Sequence, residues 1–390
     1  MDDALTSQRA QRLPLYIGGM MGPFGTIVIL PMFPELRESF NASSAAVSWG
    51  FTIYLLPFAA VLLVSGTLGE RWGRRRTVRG TYVLFAVASV GCALAPNLWI
   101  FLAARALMGV ANAFITPLLV AGLAEVVAPA LFGRAVGVYS SFQAAGGALA
   151  PIIGGLTADT NWRWAFVGTA AMAAVLAFVP PQGEPADAAD AKARPSFSAL
   201  LTKQMIILGV GVMAAAAGPI GINVLVGVTA RDDLDLTGRE AGVLLLAGPV
   251  MAMLTGPLWG RLLDRVGART AGLAAVTGAT VIAGLLGFAD TPTTLAVLSA
   301  VSGALIGFVA VVFQALASTI VPDNRGGALS FILAFRFFGH GVGPVIWIPV
   351  LEQNVLLAFL GAASLGIITI ATFFAAVEPR RTEPQSRQDR

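Results

Sequence analysis

Residues 66–76 read GTLGERWGRRR, and residues 256–269 read GPLWGRLLDRVGAR. In both stretches an acid, an arginine, any residue and a glycine follow in order: Glu70-Arg71-Trp72-Gly73 and Asp264-Arg265-Val266-Gly267, 194 positions apart. Each stretch follows one apolar run and precedes another. A second pair of matches lies further on, Ala150-Pro151 and Gly343-Pro344, at an offset of 193. Two shared offsets at matched places predict a duplicated chain. In a membrane that architecture lets two related bundles rock about a central site.

The surrounding composition supplies the membrane. Of 390 residues 56% are hydrophobic and only 12% charged, too few to cover a water-soluble core of this size. The apolar residues come in blocks, and roughly 20 of them cross a bilayer. Spans are expected at 14–36, 47–68, 77–95, 98–124, 134–157, 162–180, 204–229, 241–259, 270–289, 293–320, 328–350 and 355–377. The 44 glycines and 22 prolines inside these blocks are tolerable where neighbouring helices re-satisfy the freed backbone groups. Residues 180–203, rich in Pro, Ala and Asp, read as a linker. The expected organisation is a six-helix bundle over 1–180, a cytoplasmic linker over 181–203 and a second bundle with a cytoplasmic tail over 204–390.

Charge sets the orientation. Nineteen of the 25 Lys and Arg fall on the side of the N-terminus. Four fall opposite (Arg37, Arg163, Arg231, Arg239), and Arg105 and Arg336 lie inside spans. By the positive-inside rule both termini are expected in the cytoplasm of a bacterial inner (plasma) membrane protein. The net charge of +4 is therefore no sign of nucleic acid, because the arginines sit in short loops between spans. The polar first twelve residues carry no h-region, so the first span itself is the expected insertion signal.

With these motifs in view, the sequence resembles the major facilitator superfamily. The loop at 66–76 is similar to the family's signature between spans 2 and 3, with Glu70 where an Asp is usual. LAARALMG at 102–109 resembles its second motif, an arginine followed four residues on by a glycine. Span 5, with Gly137, Gly146 and Ala150-Pro151-Ile152-Ile153-Gly154-Gly155, is similar to the motif of drug:proton antiporters, Ala150 replacing a Gly. The resemblance implies twelve helices in two pseudo-symmetric bundles, and export rather than uptake.

Each motif also has a physical reading. Arg75, Arg76 and Arg79 suit anchoring against anionic lipid. Glu70 could face the N-terminus of span 11, where exposed N–H groups favour negative charge. Glu125, at the same membrane level, could meet one of the loop arginines. The resemblance implies a cytoplasmic gate from Gly66, Glu70, Arg71, Gly73, Arg74, Glu125, Asp264 and Arg265. Span 5 offers a smooth face of small residues. Gly146, Pro151, Gly154 and Gly155 are its expected packing pivot.

The ionisable groups inside spans are few. Arg105 is costly in lipid and must face the bundle. It is either satisfied by backbone carbonyls or part of proton or substrate coupling. Arg336 and His340, four residues apart, share a helix face. The chain's one histidine is either merely satisfied or carries a proton or a substrate contact. No Asp or Glu lies mid-span, and Glu35 near the outer end of span 1 is the nearest acid. The proton-coupling candidates are thus Arg105, His340, Glu35 and Arg336, with a weakly coupled or uncoupled carrier as the alternative. A cavity without an acid argues mildly against a strictly cationic substrate. Candidate substrate contacts are Phe24, Tyr54, Asn112, Thr116, Tyr139, Gln143, Asn223, Phe308, Phe313 and Gln314, together with Arg336 and His340. The family places spans 1, 4, 7 and 10 around the cavity.

Enzymatic readings find little footing. There is no Walker loop and no HExxH, and one Cys with one His builds no usual metal or Cys–His site. The expectation is a monomeric secondary exporter of small, largely apolar or amphipathic compounds, driven by protons, surrounded by lipid and without cofactor, metal or nucleic acid. Export of an endogenous sugar or lipid is the second reading, and a transport-inactive membrane sensor the third.

Overall fold

The structure, a computed structural model, describes residues 2–128, 131–179, 201–321 and 325–376. All but the last three residues of the expected linker, and the tail beyond 376, lie outside the described residues. In the first half, span 1 is α1 (Asp2–Ile27) and α2 (Phe33–Phe40), joined by a 3-10 turn at Leu30–Met32. Spans 2 to 6 are α3 (Ser44–Arg71), α4 (Arg74–Ala93), α5 (Leu98–Val126), α6 (Phe132–Ala158) and α7 (Arg163–Phe178). In the second half, span 7 is α8 (Lys203–Ala217) and α9 (Asn223–Asp232). Span 8 is α10 (Gly238–Leu245) with the first part of α11 (Ala247–Leu285), and the rest of α11 is span 9. Spans 10 to 12 are α12 (Pro292–Ile320), α13 (Arg325–Leu351) and α14 (Val355–Ala376).

Among the described residues, eight segments are long and apolar enough to cross a membrane by length and composition alone. The other four of the twelve have physical reasons to fall short. Span 3 opens on Arg74-Arg75-Arg76, span 6 is only 16 residues, span 7 is broken after Ala217, and span 8 ends in the second basic loop. Helix α1 begins at Asp2, twelve residues before the expected edge of span 1, so it runs on through the polar tail.

Helix starts follow their capping residues. Asn97 accepts the Ile100 N–H at 3.0 Å and opens span 4. Thr237 and Glu240 form a capping box at span 8, and Thr291 and Thr294 do the same at span 10. Glu240's carboxyl is held below its usual range by the N–H of Thr237.

The repeat survives in the backbone. Gly73 has φ 88° and Gly267 has φ 78°, the two positive-φ glycines among the described residues, at the offset of 194 noted above. Each turns the chain between a pair of antiparallel spans, with open space where a side chain would stand. The cost of a Cβ there is thus backbone strain rather than collision. Gly73→Ala or Gly267→Ala should each lower stability by about 1–3 kcal/mol. Thermal unfolding of the two variants checks this; parent-like midpoints for both would refute it.

Close contacts recur at the same offsets. Gly109 of span 4 lies on the Tyr54 carbonyl of span 2, and Gly303 of span 10 lies on Gly248 of span 8. Gly146 of span 5 packs on the Met20 backbone of span 1, and Gly339 of span 11 packs on the Met213 carbonyl of span 7. Small residues let backbones approach this closely without the hydrophobic drive that water would provide. Spans 1 and 7 are also broken at matching places, 28–32 and 218–222, where Pro31 and Pro219 interrupt the ladder. Paired discontinuities of this kind lie where the two related bundles meet.

Candidate functional site

Both breaks leave helical carbonyls without a next turn, and the chain fills them with side chains. At span 1, Arg105 of span 4 donates from Nη1 to Gly25 O at 2.5 Å and from Nε to Gly50 O of span 2 at 2.8 Å. Its guanidinium carbon stands 4.5 Å from the Tyr54 ring centre. The side chain is fully buried with no carboxylate beside it among the described residues. Arg105 therefore ties three spans together through backbone oxygens. At span 7, Trp347 Nε1 donates to Ala217 O at 2.7 Å and serves the corresponding carbonyl.

Around span 1 the first half gathers uncharged polar groups. Gly18, Gly19 and Gly22 make room for Tyr82, Tyr139 and Asn112 respectively. Tyr54 Oη donates to Gly22 O at 3.3 Å, and Thr116 sits beside Tyr139. Tyr82 Oη and Asn112 Oδ1 are buried without a hydrogen-bond partner. Tyr54, Asn112, Thr116 and Tyr139 are thus brought together, joined by Tyr82, which sequence reading missed. Phe24 is packed into the same core. Gln143 is half-buried, and Asn223 stands exposed at the first turn after the span 7 break.

The second half holds a small, partly open recess of about 20 Å³ between spans 7, 10 and 11. Its wall is Val212, Ile220, Val309, Ala310, Phe313, Gln314, Ile332, Leu333 and Arg336. Of the expected substrate contacts, Phe313, Gln314 and Arg336 meet here. Arg336 Nε lies 3.4 Å from His340 Nε2 one turn on. Phe308 is not on this wall; it stacks on Trp259 at 4.5 Å between ring centres.

At the end of the molecule away from the termini, the halves are joined by charge, by bare backbone and by a shared apolar core in which Leu30 and Leu36 are clustered with Leu225 and Leu245. Glu35 at the end of span 1 pairs with Arg231 at the end of span 7. Two residues along, Arg37 grips Asp232 through both terminal nitrogens at 2.8 and 3.0 Å. Asp159 after span 5 accepts the N–H groups of Gly238 and Arg239 at the start of α10, at 2.7 and 3.0 Å. Glu352 accepts the Ala45 N–H at 3.1 Å, and deeper in, Thr52 donates to Gly341 O at 2.7 Å. Gly155 rests on the Gly238 backbone, and Gly242 rests on the Pro151 carbonyl. The span 5 glycines therefore face two ways, Gly146 and Gly154 toward span 1 and Gly155 toward the second half. The seam residues Arg37, Asp159, Arg231, Asp232 and Glu352 were not singled out from sequence, although acids and arginines gathered at one membrane level were the available signal.

At the termini's end, Arg74 is the loop arginine that pairs with Glu125. That pair lies within the first half. Arg71 and Arg265 are exposed, and Gly66 faces Pro117 of span 4. The side chains of Glu70 and Asp264 lie outside the described residues. Among the described residues no group of His, Cys, Asp and Glu is arranged to hold a metal ion.

Two related bundles with paired helix breaks meet along a seam of charge pairs, backbone contacts and apolar packing. The chain belongs to the Major Facilitator Superfamily, whose model matches residues 15–227 and 208–390. Over 145 residues it is 33% identical to the MFS antiporter QDR3 of Candida albicans, covering 37% of this chain and 21% of that one. Over 153 residues it is 33% identical to the multidrug resistance protein B homolog of Mycobacterium tuberculosis, covering 38% and 28%. It thus spans less than a third of the length of these curated relatives. Among solved structures it resembles the nucleoside transporter NupG (D323A mutant) with a TM-score of 0.77 at 15% identity, over 94% of this chain and 100% of that one. It also resembles a bacterial homologue of the human lysosomal transporter Spinster, inward-facing and unoccupied, with a TM-score of 0.73 at 18% identity, over 95% and 96%. At these identities the structural likeness concerns the fold alone.

Proposed function

We propose that this protein exports small, largely apolar or amphipathic compounds across the bacterial inner membrane by alternating access, in exchange for protons, with both termini in the cytoplasm. The observation that carries the reading is the seam. Charge pairs and backbone-to-backbone contacts close the end away from the termini, and such contacts can part without unfolding either half. The span 5 resemblance and the relatives named as an antiporter and a multidrug resistance protein support outward movement. Glu35 is the proposed proton acceptor. It is the acid nearest the breaks, and it is faced by Arg231, with Asp159, Arg37 and Asp232 around it. Protonation neutralises Glu35 and removes its attraction to Arg231, so the protonation state of Glu35 sets how firmly the seam holds.

The test is efflux from a strain stripped of its own pumps, paired with proton flux in proteoliposomes. The expected result is outward movement of amphipathic dyes that collapses with the proton gradient, and a Glu35→Gln variant that no longer responds to that gradient. Efflux indifferent to the gradient would remove the coupling. No efflux of any compound, from protein shown to be in the membrane, would remove the exporter reading.

A further inference from the structure

We propose that the recess between spans 7, 10 and 11 binds the anionic group of an apolar carboxylate, with Arg336 as its counter-ion. The site therefore prefers anionic amphiphiles over cationic ones. The inference rests on the exporter reading for its physiological use, and on geometry for the binding itself. The recess wall is almost wholly apolar, with Gln314 and Arg336 as its polar members. Its enclosed free space is about 20 Å³, room for a carboxylate-sized group, and the recess is partly open, so an apolar body can lie against its wall.

Arg336 is set apart from the other arginine inside a span. Arg105 spends its donors on Gly25 O and Gly50 O. Arg336 uses Nε toward His340 on its own helix, and its two terminal nitrogens have no hydrogen-bond or ion-pair partner among the described residues. A guanidinium in apolar surroundings is costly without a partner. The sequence places no Asp or Glu in the middle of any span to supply one. A carboxylate on an incoming molecule satisfies the fork with charge-assisted hydrogen bonds, while Phe313, Val309 and Ile332 take the apolar body. A cationic molecule gains the same apolar contact but meets a like charge with no acid to offset it.

The test uses purified full-length protein and three isosteric compounds, 4-phenylbutyrate, 4-phenylbutyramide and 4-phenylbutylammonium, with binding followed by thermal shift and equilibrium dialysis. The expected result is about tenfold tighter binding of the carboxylate than of the amide, with the ammonium weakest. Arg336→Gln should erase the difference, and Arg336→Lys should restore part of it. Equal or better binding of the amide or ammonium to the parent protein overturns the proposal, whatever the variants do. So does binding of none of the three, or a carboxylate preference that survives in Arg336→Gln protein. The exporter reading fails separately. Carboxylate binding through Arg336 without outward movement in cells would end that reading and leave this site standing, whereas efflux of cationic dyes with no carboxylate preference would do the reverse.

Discussion

A Gly155→Leu protein is expected to fold and reach the membrane yet lose transport by about 10- to 100-fold. Gly155 lies against the backbone of Gly238, across the interface between the halves. A branched side chain there meets main chain on the opposing bundle, which cannot step aside as a side-chain tip can. Overpacking of this kind costs about 1–3 kcal/mol, occasionally more. On the proposed cycle the cost falls on one conformation alone, because the halves would separate at this place when that end opens. A penalty confined to one state shifts the equilibrium by the same free energy, about tenfold for each 1.4 kcal/mol. The seam-closed population should fall and the opposite one should rise. Labelling of a cysteine introduced at Asn41, in the span 1–2 loop at that end, should therefore quicken in the leucine variant. Gly242→Leu, which meets the Pro151 carbonyl from the other side, should act in the same direction. Parent-like transport and labelling in both variants would show that the seam does not part during the cycle.

The second large effect concerns Arg105. Arg105→Met should destabilise the protein by about 2–4 kcal/mol, because hydrogen bonds to a charged group are worth about 1.5–3 kcal/mol and this substitution leaves the Gly25 and Gly50 carbonyls short of a donor. Removing a buried charge that lacks an acid partner works the other way, since such a charge is itself expensive to bury. The carbonyls decide the balance, because α1 ends at Ile27 and Gly25 lies in its last turn, where a cation also complements the helix dipole. Arg105→Lys cannot span both oxygens in the fork geometry and should recover less than half of the loss. Thermal unfolding in detergent provides the measurement. A methionine variant as stable as the parent but dead in transport would reassign Arg105 from tether to coupling.

The architecture was legible because lipid imposes simple rules. Apolar blocks gave the spans, and the Glu70–Gly73 and Asp264–Gly267 stretches gave the duplication. Both glycines of those stretches carry the positive φ that ties the repeat to backbone geometry. The breaks at 28–32 and 218–222 were less legible. Proline inside an apolar run marks a break only when no neighbour repairs the ladder, and Pro57, Pro117 and Pro151 sit inside continuous helices. The seam was hidden for a different reason. Arg37 and Asp232 are 195 residues apart, and only the docking of two bundles brings them within 3 Å. The sequence marks Arg336 and His340 as neighbours, because one helical turn separates them. That the fork of Arg336 ends beside an apolar hollow depends on spans 7 and 10, which periodicity cannot position.

The contact of Gly155 with Gly238 has a thermodynamic corollary. Glycine has no rotamers to freeze, so bringing these backbones together orders no side chains and separating them releases none. The entropy that usually makes a tight interface slow to re-form is absent from the centre of this one. The charge pairs Glu35–Arg231 and Arg37–Asp232 at its rim add to the apolar packing that crosses between the halves, and dissolved salt weakens such pairs. If the protein cycles as proposed, ionic strength on the seam's side of the membrane should act as a dial on how long it dwells in this posture.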